Sequence, residues 1–185
     1  MRIIGGRLRG KKLARLKIDH VRPTTDRIRE SLFNILADRI AEKKVLDLFA
    51  GTGALGIEAL SRGAAHAVFV DRSRRVTALI DKNLAACRIP GDQAEVIQWD
   101  VQRNLHCLRS RVGRFQLVFI DPPYHSLALL PALANLSACG CLAANALVVA
   151  EHAASRPLPR ELAGYRLDDQ RRYGKTLVSF LNCVL

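Results

Sequence analysis

The sequence predicts an α/β fold, a mostly parallel sheet of seven strands covered by helices and ending in an antiparallel hairpin. Three observations carry this. Short apolar runs alternate with helix-length amphipathic stretches from residue 25 to residue 151, as in successive βαβ units. The first apolar run, Val45-Leu46-Asp47-Leu48-Phe49, passes straight into the glycine-rich Ala50-Gly51-Thr52-Gly53-Ala54-Leu55-Gly56, the strand–turn–helix junction of a Rossmann-like sheet. The last two runs, 165–172 and 177–184, flank Tyr173-Gly174-Lys175-Thr176, which suits a hairpin.

In chain order, the periodicities give helix 25–40, strand 45–49, helix 54–62, strand 67–70, helix 73–87, strand 95–98, helix 101–110, strand 115–120, helix 127–137, strand 146–151 and the two hairpin strands. Thr24 or Thr25 can cap the first helix, with Asp26 complementing its dipole. Ile28, Leu32, Ile35 and Leu36 form its predicted apolar stripe, and Arg27, Glu30 and Asn34 fall on another face. Before it, Gly5-Gly6 and Gly10 interrupt Ile3, Ile4, Leu8 and Leu13, which suits a small hairpin carrying Arg2, Arg7, Arg9, Lys11 and Lys12. The expected organisation is a basic arm, 1–20, on one domain, 21–185.

A chain of 185 residues with 49% hydrophobic residues can build a proper core, so disorder is excluded. Its 29 Lys and Arg against 17 Asp and Glu give a net charge of +12, which points to a polyanionic partner. Residues 1–30 hold ten of the cations against Asp19, Asp26 and Glu30, a net of +7 that leaves +5 for the rest. The five cysteines show no zinc-ligand spacing and read as small core or surface residues. No apolar run is long enough to span a bilayer and no secretory pattern is present, so a cytoplasmic monomer without metal is expected.

The spacing Gly51, Gly53, Gly56 lets a backbone approach a nucleotide-like ligand, but it fits the dinucleotide fingerprint of nicotinamide enzymes equally well. Asp71 ends the second strand, where a carboxylate can accept both ribose hydroxyls, and Asp100 follows the third, where it can receive an adenine amino group; each is also an ordinary strand-end or capping acid. Asp121-Pro122-Pro123-Tyr124, directly after Phe115–Ile120, discriminates. Two prolines lack N–H donors and stiffen the chain, so Asp121 and the Pro122 carbonyl form two outward acceptors with an aromatic ring beyond them. That set suits holding a planar amino group by its hydrogens while a methyl group arrives along the nitrogen lone pair, with Tyr124 stacked on the base. His125, His152 and Glu151 are weaker candidates, the histidines reading as surface residues. Trp99 reads as packing beside the ligand pocket, and Arg171, Arg172 and Lys175 either extend the basic face or solvate the hairpin.

Arg2-Ile3-Ile4-Gly5-Gly6, Arg22-Pro23-Thr24-Thr25-Asp26-Arg27-Ile28-Arg29-Glu30, the loop from Asp47 to Gly56 and Asp121-Pro122-Pro123-Tyr124 together resemble the RsmD family of bacterial 16S ribosomal RNA guanine-N2 methyltransferases, over nearly the whole chain. The resemblance implies a class I methyltransferase fold with S-adenosylmethionine as donor, acting on one guanine of the 30S subunit or its assembly intermediate. Family members often carry Phe where Tyr124 stands, which keeps the stacking ring. On this basis Asp47, Ala50, Gly51, Gly53, Asp71 and Asp100 are expected to hold the cofactor, Asp121, Pro122 and Tyr124 the reacting base, and Arg7, Arg9, Lys11, Lys12, Arg22 and Arg27 the RNA. An adenine-N6 or cytosine-N4 methyltransferase, a nicotinamide-dependent oxidoreductase and a non-catalytic RNA-binding module are the alternatives; the oxidoreductase leaves Asp121–Tyr124 unexplained.

Overall fold

The computed structural model describes residues 1–15, 26–111, 113–123, 127–159 and 162–184. Helix α1 (Asp26–Ile35) precedes β1 (Lys44–Leu48), α2 (Ala54–Ser61), β2 (His66–Asp71), α3 (Arg74–Ala86), β3 (Ala94–Gln98), β4 (Phe115–Ile120), α4 (Leu129–Ala138), β5 (Leu142–Ala153), β6 (Tyr165–Tyr173) and β7 (Thr176–Cys183). The seven strands form one sheet in the order β3-β2-β1-β4-β5-β7-β6. β1 to β5 are parallel, and β7 runs antiparallel between β5 and β6. The chain reverses direction across the sheet between β1 and β4, the switch point where ligands of such sheets bind. Strands β1 and β4 are mostly apolar and mostly buried because both faces of the sheet are covered; Asp47 is the buried acid of β1. One face packs on α1, α2 and α3 through Phe33, Phe69, Ile57 and Ile80, the other on α4 and residues 101–108. No described helix is long and apolar enough to cross a membrane.

Three expectations are corrected. The predicted helix 101–110 is a turn followed by a single 3-10 turn, His106–Leu108. Its apolar spacing is real, since Val101, Leu105 and Leu108 are all buried. Its carbonyls, however, are taken by side chains: Asn135 donates to the Val101 and Gln102 carbonyls and the Trp99 indole to that of Asn104, so the backbone ladder has lost its acceptors. In α1 and the residue that follows it the buried positions are Arg29, Leu32, Phe33 and Leu36, an i, i+3, i+4, i+7 set, while Ile35 is exposed. Arg29 occupies an apolar position because the Arg2 carbonyl and the Asp26 carboxylate, the latter at 3.0 Å, meet its guanidinium. The predicted caps Thr24 and Thr25 lie outside the described residues. Cys139 and Cys141, read from sequence as small core or surface residues, are joined in a disulfide across Gly140.

The N-terminal arm folds back on itself, with Arg2 bridged to Lys12 and a 3-10 turn at Gly6–Leu8. Its apolar residues Ile3, Leu8 and Leu13 enter the core. α2 holds it there. Glu58, fully buried in an otherwise apolar helix, accepts the backbone N–H groups of Ile4 (2.8 Å) and Gly5 (2.7 Å) and pairs with Arg62. Ser61 accepts from the Leu8 N–H and donates to the Gly5 carbonyl. Glu58→Ala should therefore lower unfolding free energy in urea by about 1.5–3 kcal/mol, the range for losing hydrogen bonds to a charged group. It should also accelerate hydrogen exchange at the Ile4 and Gly5 amides, and unchanged exchange there would show that the arm is held by other contacts.

Candidate active site at the carboxyl ends of the strands

The site begins where β1 gives way to its turn. Phe49 (φ 58°), Gly51 (φ 56°) and Gly53 (φ 76°) take left-handed backbone conformations, so the chain winds tightly before α2 opens. Gly56, one turn into α2, lies against the Phe69 ring of β2, and a methyl group there would clash with it. That close approach seats the amino end of α2 on the sheet. Asp47, at 1% exposure, lies beneath the turn and accepts the Gly56 N–H at 2.9 Å. Burial pushes its carboxyl up to about 8, opposed by the Gly56 hydrogen bond and reinforced by the nearby charge of Asp71.

Asp71 closes the second side. Its two oxygens accept from the Gly51 N–H (3.3 Å) and the Ser73 N–H (2.9 Å). Burial raises its carboxyl above the ordinary range against the pull of those amides. The Trp99 N–H donates to the Asp71 carbonyl, which carries β3's end and Asp100 to the same region. Asp100 itself accepts the Gln102 N–H at 3.1 Å, so it also caps the turn that follows. On the other side of β1, the Asp121 N–H donates to the Leu48 carbonyl at 3.4 Å, so Asp121 emerges beside Phe49 and the glycine turn. Pro122 is buried and Pro123 exposed. Tyr124, His125 and Arg22 lie outside the described residues.

Asp47, Ala50, Gly51, Gly53, Asp71, Asp100, Asp121 and Pro122 thus gather at the carboxyl ends of four adjacent strands, β3, β2, β1 and β4. The basic arm does so only in part. Arg7, Arg9, Lys11 and Lys12 are all exposed, but Arg7 donates to Gln93, just ahead of β3, so the arm's tip lies at the amino ends of the strands. The arm's two ends lie beside the glycine turn: Thr52 donates to the Met1 sulfur, and Asn83 of α3 joins Ala14 to the Thr52 carbonyl. Nothing in the sequence marked Asn83. His152, expected at the surface, is buried and bonded to the Arg156 carbonyl (3.0 Å) and the Ser179 hydroxyl (2.9 Å), and burial lowers its pKa. Trp99 packs against the core, with its indole N–H donated to the Asn104 carbonyl.

A family model described as Conserved hypothetical protein 95 matches residues 1–182. Ribosomal RNA small subunit methyltransferase D of Escherichia coli K12 is 38% identical over 175 residues, covering 95% of this chain and 86% of the relative. The protein of the same name from Haemophilus influenzae is 39% identical over 160 residues, 85% of this chain and 81% of the relative. The chain belongs to the family of these small-subunit methyltransferases. Among solved structures, a hypothetical protein of Thermus thermophilus superposes with a TM-score of 0.80 at 32% identity, covering 97% of this chain and 98% of that one. SMU.776, crystallised in complex with SAH, shares the fold at 19% identity with a TM-score of 0.67, covering 83% of this chain and 49% of that one.

The donor set of this family site fits an S-adenosylmethionine-type ligand. A methyl group placed on Gly51 would meet only the Phe49 carbonyl, at 3.8 Å, so the turn leaves open space for one. Beneath the turn Asp47 keeps a buried carboxyl that holds the Gly56 N–H. In the free protein the sign of the pH dependence follows from Asp47's ordinary value of 3.8. Between about pH 4 and 8 the folded chain keeps a proton that the unfolded chain has lost, so stability falls as pH rises through that window. Asp47→Asn should make the fall of the urea midpoint from about pH 5 to pH 8 shallower, and parallel profiles for the two proteins would place the Asp47 proton elsewhere.

Proposed function

We propose that this chain transfers a methyl group from S-adenosylmethionine to the exocyclic N2 of one guanine in 16S ribosomal RNA, on the small subunit or its assembly intermediate in the cytoplasm. The adjacency of Asp121-Pro122 to the glycine turn across the β1–β4 switch point supports this most directly, because two candidate acceptors for an amino group then stand where ligands of such sheets bind. The relatives named as small-subunit RNA methyltransferases support the substrate class.

In this assignment the backbone at Ala50, Gly51 and Gly53 meets the methionine part of the donor, Asp47 favours its ammonium, Asp71 accepts from the ribose hydroxyls and Asp100 from the adenine amine. When bound, S-adenosylmethionine supplies an electrophilic methyl on a sulfonium. Asp121 and the Pro122 carbonyl hold the two N2 hydrogens so that the nitrogen lone pair faces that methyl, and Tyr124 stacks on the flipped guanine. Alignment carries most of the rate. The methylated nitrogen is strongly acidic and releases its proton to water, so Asp121 positions the amine. Arg7, Arg9, Lys11 and Lys12 of the 1–20 arm, with Arg22 and Arg27, take RNA phosphates.

Mapping the base that gains a radiolabelled methyl on unmodified 30S subunits tests the reaction; label on an adenine N6 or cytosine N4 would overturn the guanine assignment. Asp121→Ala should slow single-turnover transfer by a hundred- to a thousandfold, about 2.7–4 kcal/mol, whereas Asp121→Asn, which keeps an acceptor in place, should retain much more. Equally dead variants would instead make the carboxylate the proton acceptor. Asp71→Ala should weaken S-adenosylhomocysteine binding by about 1.5–3 kcal/mol in calorimetry; unchanged affinity would remove Asp71 from the site.

A further inference from the structure

The arm's tip lies at the amino ends of the strands, so it leaves the reacting end of the molecule to other cations. The β6–β7 hairpin supplies them. Ala153 at the end of β5 pairs with Thr176, and Thr176 with Tyr173. The turn between β6 and β7 therefore stands at the same edge of the sheet as Asp121, on the opposite side of it from the arm. Across β4, β5, β7 and β6, at about 4.8 Å per strand, the hairpin stands roughly 10–14 Å to the side of β4, and it runs about 10 Å beyond the level of Ile120, so its tip is on the order of 15–20 Å from the end of β4, a distance that a few nucleotides span.

The cations around this tip form one strip. Arg172 and Lys175 are exposed, and Arg172 donates through Nε to the Gly174 carbonyl at 3.1 Å, which holds its guanidinium at the turn. The Lys175 carbonyl accepts the Ala154 N–H at 2.8 Å, so the turn bearing exposed Arg156 packs against the hairpin. On the other side the Tyr173 hydroxyl meets Ser31 of α1 at 2.6 Å, and Arg27, exposed one turn earlier, shares Ser31's side of the helix. Arg166 and Arg171 of β6 are neutralised by Asp168 and Asp169. Arg27, Arg156, Arg172 and Lys175 have no carboxylate partner among the described residues. Cations that merely solvated the hairpin would not need to gather, unneutralised, at the reacting edge while those farther along β6 are paired.

Building on the methyltransferase reading above, we propose that Arg156, Arg172 and Lys175, continued by Arg27, form a second phosphate-binding surface that holds the RNA backbone on the far side of Asp121 from the arm. Phosphates on both sides of the reacting base fix its register more firmly than contacts on one side alone.

The test uses the full chain with Arg156, Arg172 and Lys175 all replaced by Ala, and a charge-preserving control, Arg156→Lys/Arg172→Lys/Lys175→Arg. Binding to unmodified 16S RNA is measured against salt concentration. The Ala variant should bind on the order of tenfold more weakly at low salt, and its log–log slope should be shallower by about 0.7 for each single-strand phosphate that the hairpin no longer neutralises. The control should keep the wild-type slope, and S-adenosylhomocysteine affinity should be unchanged in both, which reports an intact fold. An unaltered salt slope in the Ala variant overturns the proposal. Wild-type methyl transfer judges the functional reading separately, because the slope reports hairpin contacts whether or not a methyl is transferred.

Discussion

The close seating of α2 on β2 is the constraint on which the rest of this molecule depends. Gly56 has no side chain because Phe69 occupies the space, and that contact lets the Gly56 N–H reach the buried Asp47 carboxyl. Once the amino end of α2 is fixed, the turn through Phe49, Gly51 and Gly53 has little choice of path, and Asp71 meets it through the Gly51 amide. The same helix carries Glu58 and Ser61 on its body, which grip the arm. One short, almost wholly buried helix therefore serves a ligand turn at its start and a tethered N-terminus along its length. A shift of that helix would disturb both together, since packed interiors deform as units.

Much of this was legible in the sequence because it is local. The run from Val45 to Gly56 encodes strand, tight turn and helix start within a dozen residues, and Asp121–Tyr124 follows its strand without a gap. The alternation of apolar runs was enough to place all seven strands. What escaped is tertiary. The apolar spacing of Val101, Leu105 and Leu108 is helical and all three are buried, yet Asn135, 27 residues beyond Leu108 in sequence, takes the carbonyls a helix would need. Arg29 carries no apolar signal in the sequence, yet it lies within the buried stripe of α1 because the arm's backbone bonds it. Asn83 looks like an ordinary polar residue of α3, and only its partners Ala14 and Thr52, distant in sequence, give it meaning. Glu58 alone carried a usable signal, a single acid in a helix apolar on every side.

The placement of the arm also changes how composition should be read. Ten cations in the first 30 residues locate charge along the chain but not in space. Folded against α2, the described part of the arm spreads its own cations, Arg7 among them, from near the glycine turn to the opposite end of the sheet. Cations that are scattered in sequence, on α1, after β5 and in the hairpin, are gathered by the antiparallel return of β7. Charge density along a chain is thus a poor map of the field a polyanion meets, since the strand order decides which charges share an edge.

Among the described residues β6 has one side with no neighbouring strand, and most of its own residues are exposed. A row of unpaired backbone donors and acceptors invites another extended chain to add itself. Here the row is interrupted between Leu167 and Asp169, where the pairing shifts register, and it is studded with Arg166, Asp168, Asp169, Arg171 and Arg172. An incoming strand would have to follow a kinked template and strip water from charges of both signs at once. The charged border thereby guards the molecule against joining its sheet edge to edge with another copy, even where many copies crowd together.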